Sequence, residues 1–93
     1  MIRHDVHLPA LYKGMTERDA VTIIHWYAQE QDVVQPDGLL LRVDSGPSLT
    51  DIPQPFPTSC QIIRIYKQPG ETAHLGDLLV TVETLENNRK ERA

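Results

Sequence analysis

Turn-forming residues cut this chain into segments of about five to eight residues, and that spacing constrains its fold more than any other feature. The breaks fall at Pro9 to Gly14, Gln29 to Gly38, Ser45-Gly46-Pro47, Pro53 to Pro57, Pro69-Gly70 and Gly76-Asp77. What lies between them is too short for ordinary helices and suits strands. Ala20 to Tyr27 is rich in β-branched and aromatic residues; Leu39 to Asp44, Leu49 to Pro53, Gln61 to Lys67 and Leu78 to Glu83 share that character. In Asp5 to Pro9, Val6 and Leu8 alternate onto one face. Short strands with Pro/Gly turns predict an all-β sandwich or barrel. Residues 1–84 are expected to form one domain, because 93 residues leave no room for two independent cores. The polar stretch 85–93 reads as a tail, frayed or a short solvated helix, expected to be without fixed structure.

An internal repeat sharpens this reading. Trp26 to Asp44 overlies Ile65 to Glu83 without gaps at an offset of 39. Identities fall at Tyr27/Tyr66, Gln29/Gln68, Leu39/Leu78, Leu40/Leu79 and Val43/Val82, and the acids Asp32/Glu71 and Asp44/Glu83 match in charge. Two copies are too few for a solenoid. They predict two similar half-sheets, packed face to face around one core and related by an approximate two-fold axis. The link between the copies then carries an exposed hairpin from one half to the other. In the first copy Gln31 stands where the second has Gly70, so Gly38 is the residue expected to absorb a positive φ nearby.

Composition excludes several function classes. Nine basic against thirteen acidic residues give a net charge of −4, which argues against binding nucleic acid through its phosphates. No apolar run exceeds that of Leu39-Leu40-Leu41, far from a membrane span, and the first residues lead into no signal-like stretch. A cytoplasmic protein is expected, without membrane contact. The single cysteine, Cys60, excludes an internal disulfide and reads as a small buried side chain.

The order of these features resembles the lipoyl/biotinyl carrier domains of 2-oxo acid dehydrogenase complexes and biotin-dependent enzymes. Pro9, Leu11, Thr16 and Glu17 match the family's opening, and Trp26 its second strand, after a segment about three residues longer than usual. Asp32 and Val33 match the first turn, Leu39 to Asp44 the Leu strand, Ile52-Pro53-Gln54-Pro55 the corner after the hairpin, and Ile65 to Glu83 the closing half. The resemblance spans residues 5–84. It implies a flattened barrel or sandwich of two four-stranded sheets with quasi-two-fold symmetry, the barrel-sandwich hybrid.

The family's chemistry rests on a lysine at the hairpin tip, whose amine is acylated by lipoate or biotin. Gapless alignment from Val43-Asp44 to Ile52-Pro53 puts Pro47 at that position and Gly46 where the family has aspartate. Proline offers no amine. Lysines occur only at Lys13, Lys67 and Lys90, none of them between Val43 and Ile52, so a small register shift restores nothing. The tip Ser45-Gly46-Pro47-Ser48 is therefore expected to hold no cofactor. Because proline is disfavoured at the third position of a type I turn, the tip is expected to recentre with Pro47 second, rather than form a cis Gly46–Pro47 bond.

Other residues read as structural. His4 and His7 lie three apart and point to opposite faces of a regular strand, so they cannot chelate together; with His25 they are expected at edges or in solvent, and no metal site is expected. His74 is placed in a turn, exposed to solvent. Trp26 is expected to pack against the core. Asp44 and Asp51 flank the hairpin and could face each other as a carboxylate pair, more simply as solubilising acids. Asp44-Ser45-Gly46 is faintly similar to the Asp-Ser-Leu attachment site of phosphopantetheine carriers, but that serine begins a helix and this one sits in a β-turn. The function expected is a non-catalytic lipoyl/biotinyl-like domain, monomeric, acting as an interaction or assembly module. Dehydrogenase or carboxylase subunits are the expected partners. The alternative is a working carrier modified at an atypical lysine. A periplasmic efflux-adaptor fragment fits less well, because its half-domains flank a long helical hairpin and no heptad pattern occurs here.

Overall fold

The computed structural model describes residues 1–84; the tail assigned to 85–93 lies outside the described residues. Eight strands follow one another: β1 (Ile2–His7), β2 (Ala20–Trp26), β3 (Val33–Val34), β4 (Leu39–Asp44), β5 (Leu49–Pro53), β6 (Cys60–Ile65), β7 (Thr72–His74) and β8 (Leu78–Thr84). No helix occurs among the described residues, so none there is long and apolar enough to cross a membrane. The fold is all-β. Two antiparallel four-stranded sheets form, in the orders β1-β8-β6-β3 and β5-β4-β2-β7.

The repeat is conformational as well as textual. Adding 39 maps β2 onto β6, β3 onto β7 and β4 onto β8, while β5 corresponds to β1 at an offset of 46. Registers obey the same mapping. Val21 opposes Ala73 as Cys60 opposes Val34, and Leu41 opposes Ile52 as Val80 opposes Val6. The loops between strands reach across to the other half in matching fashion. The Gln31 N–H donates to Ile62 O (2.7 Å) and the Gly70 N–H to Ile23 O (2.8 Å), while Ile62 and Ile23 donate back to Asp32 O and Glu71 O, both at 2.9 Å.

Bulges explain why the apolar pattern departs from strict alternation. Ile24 is skipped in the pairing of β2 with β4, and Ile63 in that of β6 with β8. One extra residue resets the phase. Ile23 and Trp26 therefore both face inward, as do Ile62 and Ile65. Leu40 and Leu79 are skipped against β5 and β1, which lets Leu40-Leu41 and Leu79-Val80 be buried in succession. The core between the sheets is one cluster, in which Ile23, Leu40, Leu41, Ile62 and Leu79 are wholly buried. Each contributes about 1.5–3 kcal/mol on burial. Cys60 is buried among them at 2% exposure, and burial pushes its thiol pKa up. Trp26 belongs to the core, and its indole N–H donates to Lys67 O at 2.8 Å.

Two sequence expectations need correction. Val33–Val34 is a strand inside a segment read as a turn, and Thr72–His74 is a strand between two turn signals, which places His74 on β7 and not in a turn, although exposed. Gly38 does not carry the positive φ. Gln31 itself does, at 79°, and Asp37 at 70°, matching Gly70 at 93° and Gly76 at 89°. Gly38 is required for space instead: a Cβ there would stand 2.7 Å from Val34 Cγ1 and 2.9 Å from Gln35 O.

Candidate functional site

The β4–β5 hairpin ends in the four residues aligned with the carrier attachment site. Asp44 pairs with Leu49, and the Ser45 N–H donates to Ser48 O at 2.9 Å, so Gly46 and Pro47 alone form the loop. Gly46 holds φ at +100°, and no peptide bond among the described residues is cis. The expected recentring with Pro47 second therefore does not occur. Glycine takes the positive φ of the first corner without steric cost, and proline's fixed negative φ suits the second. The tip is braced from below: the Asp44 carboxylate accepts from the Gly46 N–H at 2.9 Å, and the Ser45 hydroxyl donates to Ser48 O at 3.1 Å. Gly46, Pro47, Ser48 and Leu49 are exposed, Leu49 at 57%.

The carboxylate pair does not form. Asp51 lies opposite Arg42, not Asp44, because the register closes on Ser45 and Ser48. Arg42 Nε donates to Asp51 Oδ1 at 2.8 Å and its terminal nitrogen to Oδ2 at 3.3 Å; the Tyr27 hydroxyl adds a bond to Oδ1 at 3.0 Å. Bonding to Arg42 holds the Asp51 carboxyl below the usual carboxylate range, against some desolvation, with Tyr27 assisting. Partial desolvation, then the bond to Asp51, pushes the Tyr27 phenol up. The other half repeats the arrangement without the cation: the Tyr66 hydroxyl is 2.9 Å from that of Thr81, which donates to Asp5 Oδ1 at 2.8 Å. His25 meets Tyr27 edge-on, and Arg64 lies over the Tyr66 ring at 5.2 Å. The Tyr27/Tyr66 identity was the signal for these clusters; Arg42 was not singled out from sequence.

Neither described lysine stands at the tip. Lys13 is exposed in the turn closed by the Met15 N–H on Tyr12 O, between β1 and β2. Lys67 lies past β6 and donates to Thr72 O at 3.2 Å, with Asp77 Oδ2 at 3.9 Å. Lys90 lies outside the described residues. The corner after the hairpin turns on a buried side chain that sequence reasoning missed. Gln54, 4% exposed, donates to Val34 O (3.3 Å) and Thr58 O (2.8 Å) and accepts from the Phe56 N–H (2.7 Å).

The histidines stand apart. His4 stacks on Phe56 at 4.5 Å and its Nε2 is 3.1 Å from Thr84 Oγ1, while His7 and His25 are exposed. Among the described residues no three metal-ligating side chains converge. A cavity of about 150 Å³ is lined by Met1, Val33, Ser59, Cys60, Gln61 and Glu83, residues of or next to the β1-β8-β6-β3 sheet. Compared with known proteins, the chain matches no family model and no curated sequence.

Proposed function

We propose that this chain is a lipoyl/biotinyl-like domain whose hairpin presents a fixed corner instead of a loaded arm, and that it serves as a non-catalytic interaction or assembly module. The observation that carries the reading is the Gly46–Pro47 loop closed by Ser45 and Ser48, where neither corner residue has an amine to acylate. The paired sheets and the repeat at an offset of 39 support placing this hairpin where carriers hold their lysine. A braced turn with exposed Leu49 beside it is suited to contact because little of it must be ordered on binding.

Two measurements test this. Intact mass of the protein purified from its own host is expected to show the bare chain; a lipoyl or biotinyl group on Lys13 or Lys67 would overturn the reading and favour a carrier using an atypical lysine. Binding to the host's 2-oxo acid dehydrogenase and biotin-dependent carboxylase subunits is expected for the native chain and weakened by replacing Leu49 with Ser. Equal binding by both forms would remove the tip from the interface.

A further inference from the structure

We propose that two copies of this chain can exchange halves, each supplying the residues beyond the Gly46–Pro47 loop to complete the other's two sheets. The topology carries this. Among the described residues only β2–β4 and β6–β8 pair within a half, whereas β1–β8, β3–β6 and β2–β7 pair between halves and β4–β5 pair across the tip. The reach-over bonds of Gln31 to Ile62 and Gly70 to Ile23 also cross between halves. Neither half owns a core: Val21, Ile23, Leu40 and Leu41 come from the first, Ile62, Leu79, Val80 and Val82 from the second, in one cluster.

The closed hairpin's two-residue loop is the link between these halves. Every contact between halves can therefore be made with the chain's own second half or with another copy's, and only the loop differs between the two states. Opening it changes two residues. Gly46 leaves φ +100° for an extended conformation at no steric cost, and the φ to which proline is fixed already suits an extended linker. Half exchange rests on topology alone, not on what the corner docks to.

The test places Val33→Cys and Gln61→Cys, directly opposite across β3–β6 and one in each half, in a Cys60→Ala background. The reduced protein is unfolded in urea, refolded at low and at high concentration, fractionated by size with light scattering, then oxidised. The expected result is a dimer, favoured at high concentration, whose new disulfide joins two chains on a denaturing gel. A chain that stays monomeric throughout, or a dimer whose disulfide closes within each chain, would overturn the proposal. A second variant, Gly46→Val, sets a β-branched residue at a φ it resists and is expected to raise the dimer share about tenfold or more. An unchanged share would show that the corner is not the hinge.

Discussion

Gln31 and Gly70 occupy equivalent corners of the two halves, and Gln31 holds there a left-handed backbone, φ 79°, close to the 93° that glycine holds at 70. The corner does not exist to suit its residue. In each half it aims an N–H at the opposite half's strand, Ile62 O or Ile23 O, and that bond fixes the backbone whichever side chain is present. Asp37 and Gly76, also equivalent, are likewise both left-handed, at 70° and 89°.

Replacing Gln31 with Gly is therefore expected to stabilise the protein. Relief of a left-handed non-glycine residue is worth about 1–2 kcal/mol, and glycine's greater freedom in the unfolded chain takes back about 0.5–1 kcal/mol. A net gain of about 0.5–1 kcal/mol should appear as a higher urea midpoint, read by the fluorescence of the buried, single Trp26. Asp37→Gly should gain less, because aspartate enters the left-handed region more readily. A loss of stability in Gln31→Gly would mean that its side chain contributes more than its backbone costs.

Gly38→Ala should destabilise by about 1–3 kcal/mol, for want of space rather than of conformational freedom. The added carbon meets a backbone carbonyl, Gln35 O, as well as Val34 Cγ1, and a carbonyl held in a turn cannot rotate away. Gly14→Ala is the informative comparison: its φ is +91° but nothing lies within 4 Å of the new carbon. If Gly38→Ala matched the native urea midpoint, the turn at Gln35 would have to be far more yielding than its 2.8 Å bond to Gly38 indicates.

The longer strands were legible because their apolar residues are dense and their boundaries punctuated; β4 and β5 fall where the sequence placed them. β3 and β7 were not legible. Two or three residues show no period, and these strands exist only because β6 and β2 offer them an edge. β1 starts at Ile2, ahead of the expected Asp5, because β8 pairs with it out to Thr84. The hairpin loop falls within Ser45 to Ser48, as the sequence indicates, but it closes differently from the expected turn. A type I turn has no place for the positive φ that Gly46 holds at the first corner. From that error in closure came the other, since the true register sets Asp51 against Arg42 and not Asp44. The equivalence of Tyr27 and Tyr66 was visible, but the partners of their hydroxyls depend on cross-strand register that no spacing along one strand reveals.

Asp51 should make stability fall in acid. Its folded-state pKa is lowered, chiefly by Arg42, so the unfolded chain takes up its proton first as pH drops. The contribution is fully present above the ordinary carboxylate pKa of about 4 and is lost as pH falls through the lower folded value. Asp51→Asn should remove this part of the acid sensitivity, flattening the urea midpoint against pH below about 4 while lowering it at neutral pH. Equal slopes for both proteins would show that the half-exposed Arg42–Asp51 pair contributes nothing measurable.

Pro47→Lys tests whether an amine is all that separates this hairpin from a carrier's. The substitution leaves Gly46 at the first corner, and lysine can adopt the negative φ of the second, so the Ser45–Ser48 closure should survive. Loss of proline's restraint on the unfolded chain should cost only about 0.4–1 kcal/mol, which the urea midpoint will report. Given lipoate or biotin ligase with its substrates, the variant is expected to gain one covalent group mapped to position 47, and the native chain none. Ligases of this kind must reach the amine on a presented turn, so loading would mean that the scaffold around the corner is the one they read. A folded Pro47→Lys protein that neither ligase modifies would separate this hairpin from the carrier family, and with it the reading of the chain as a carrier domain that lost its handle.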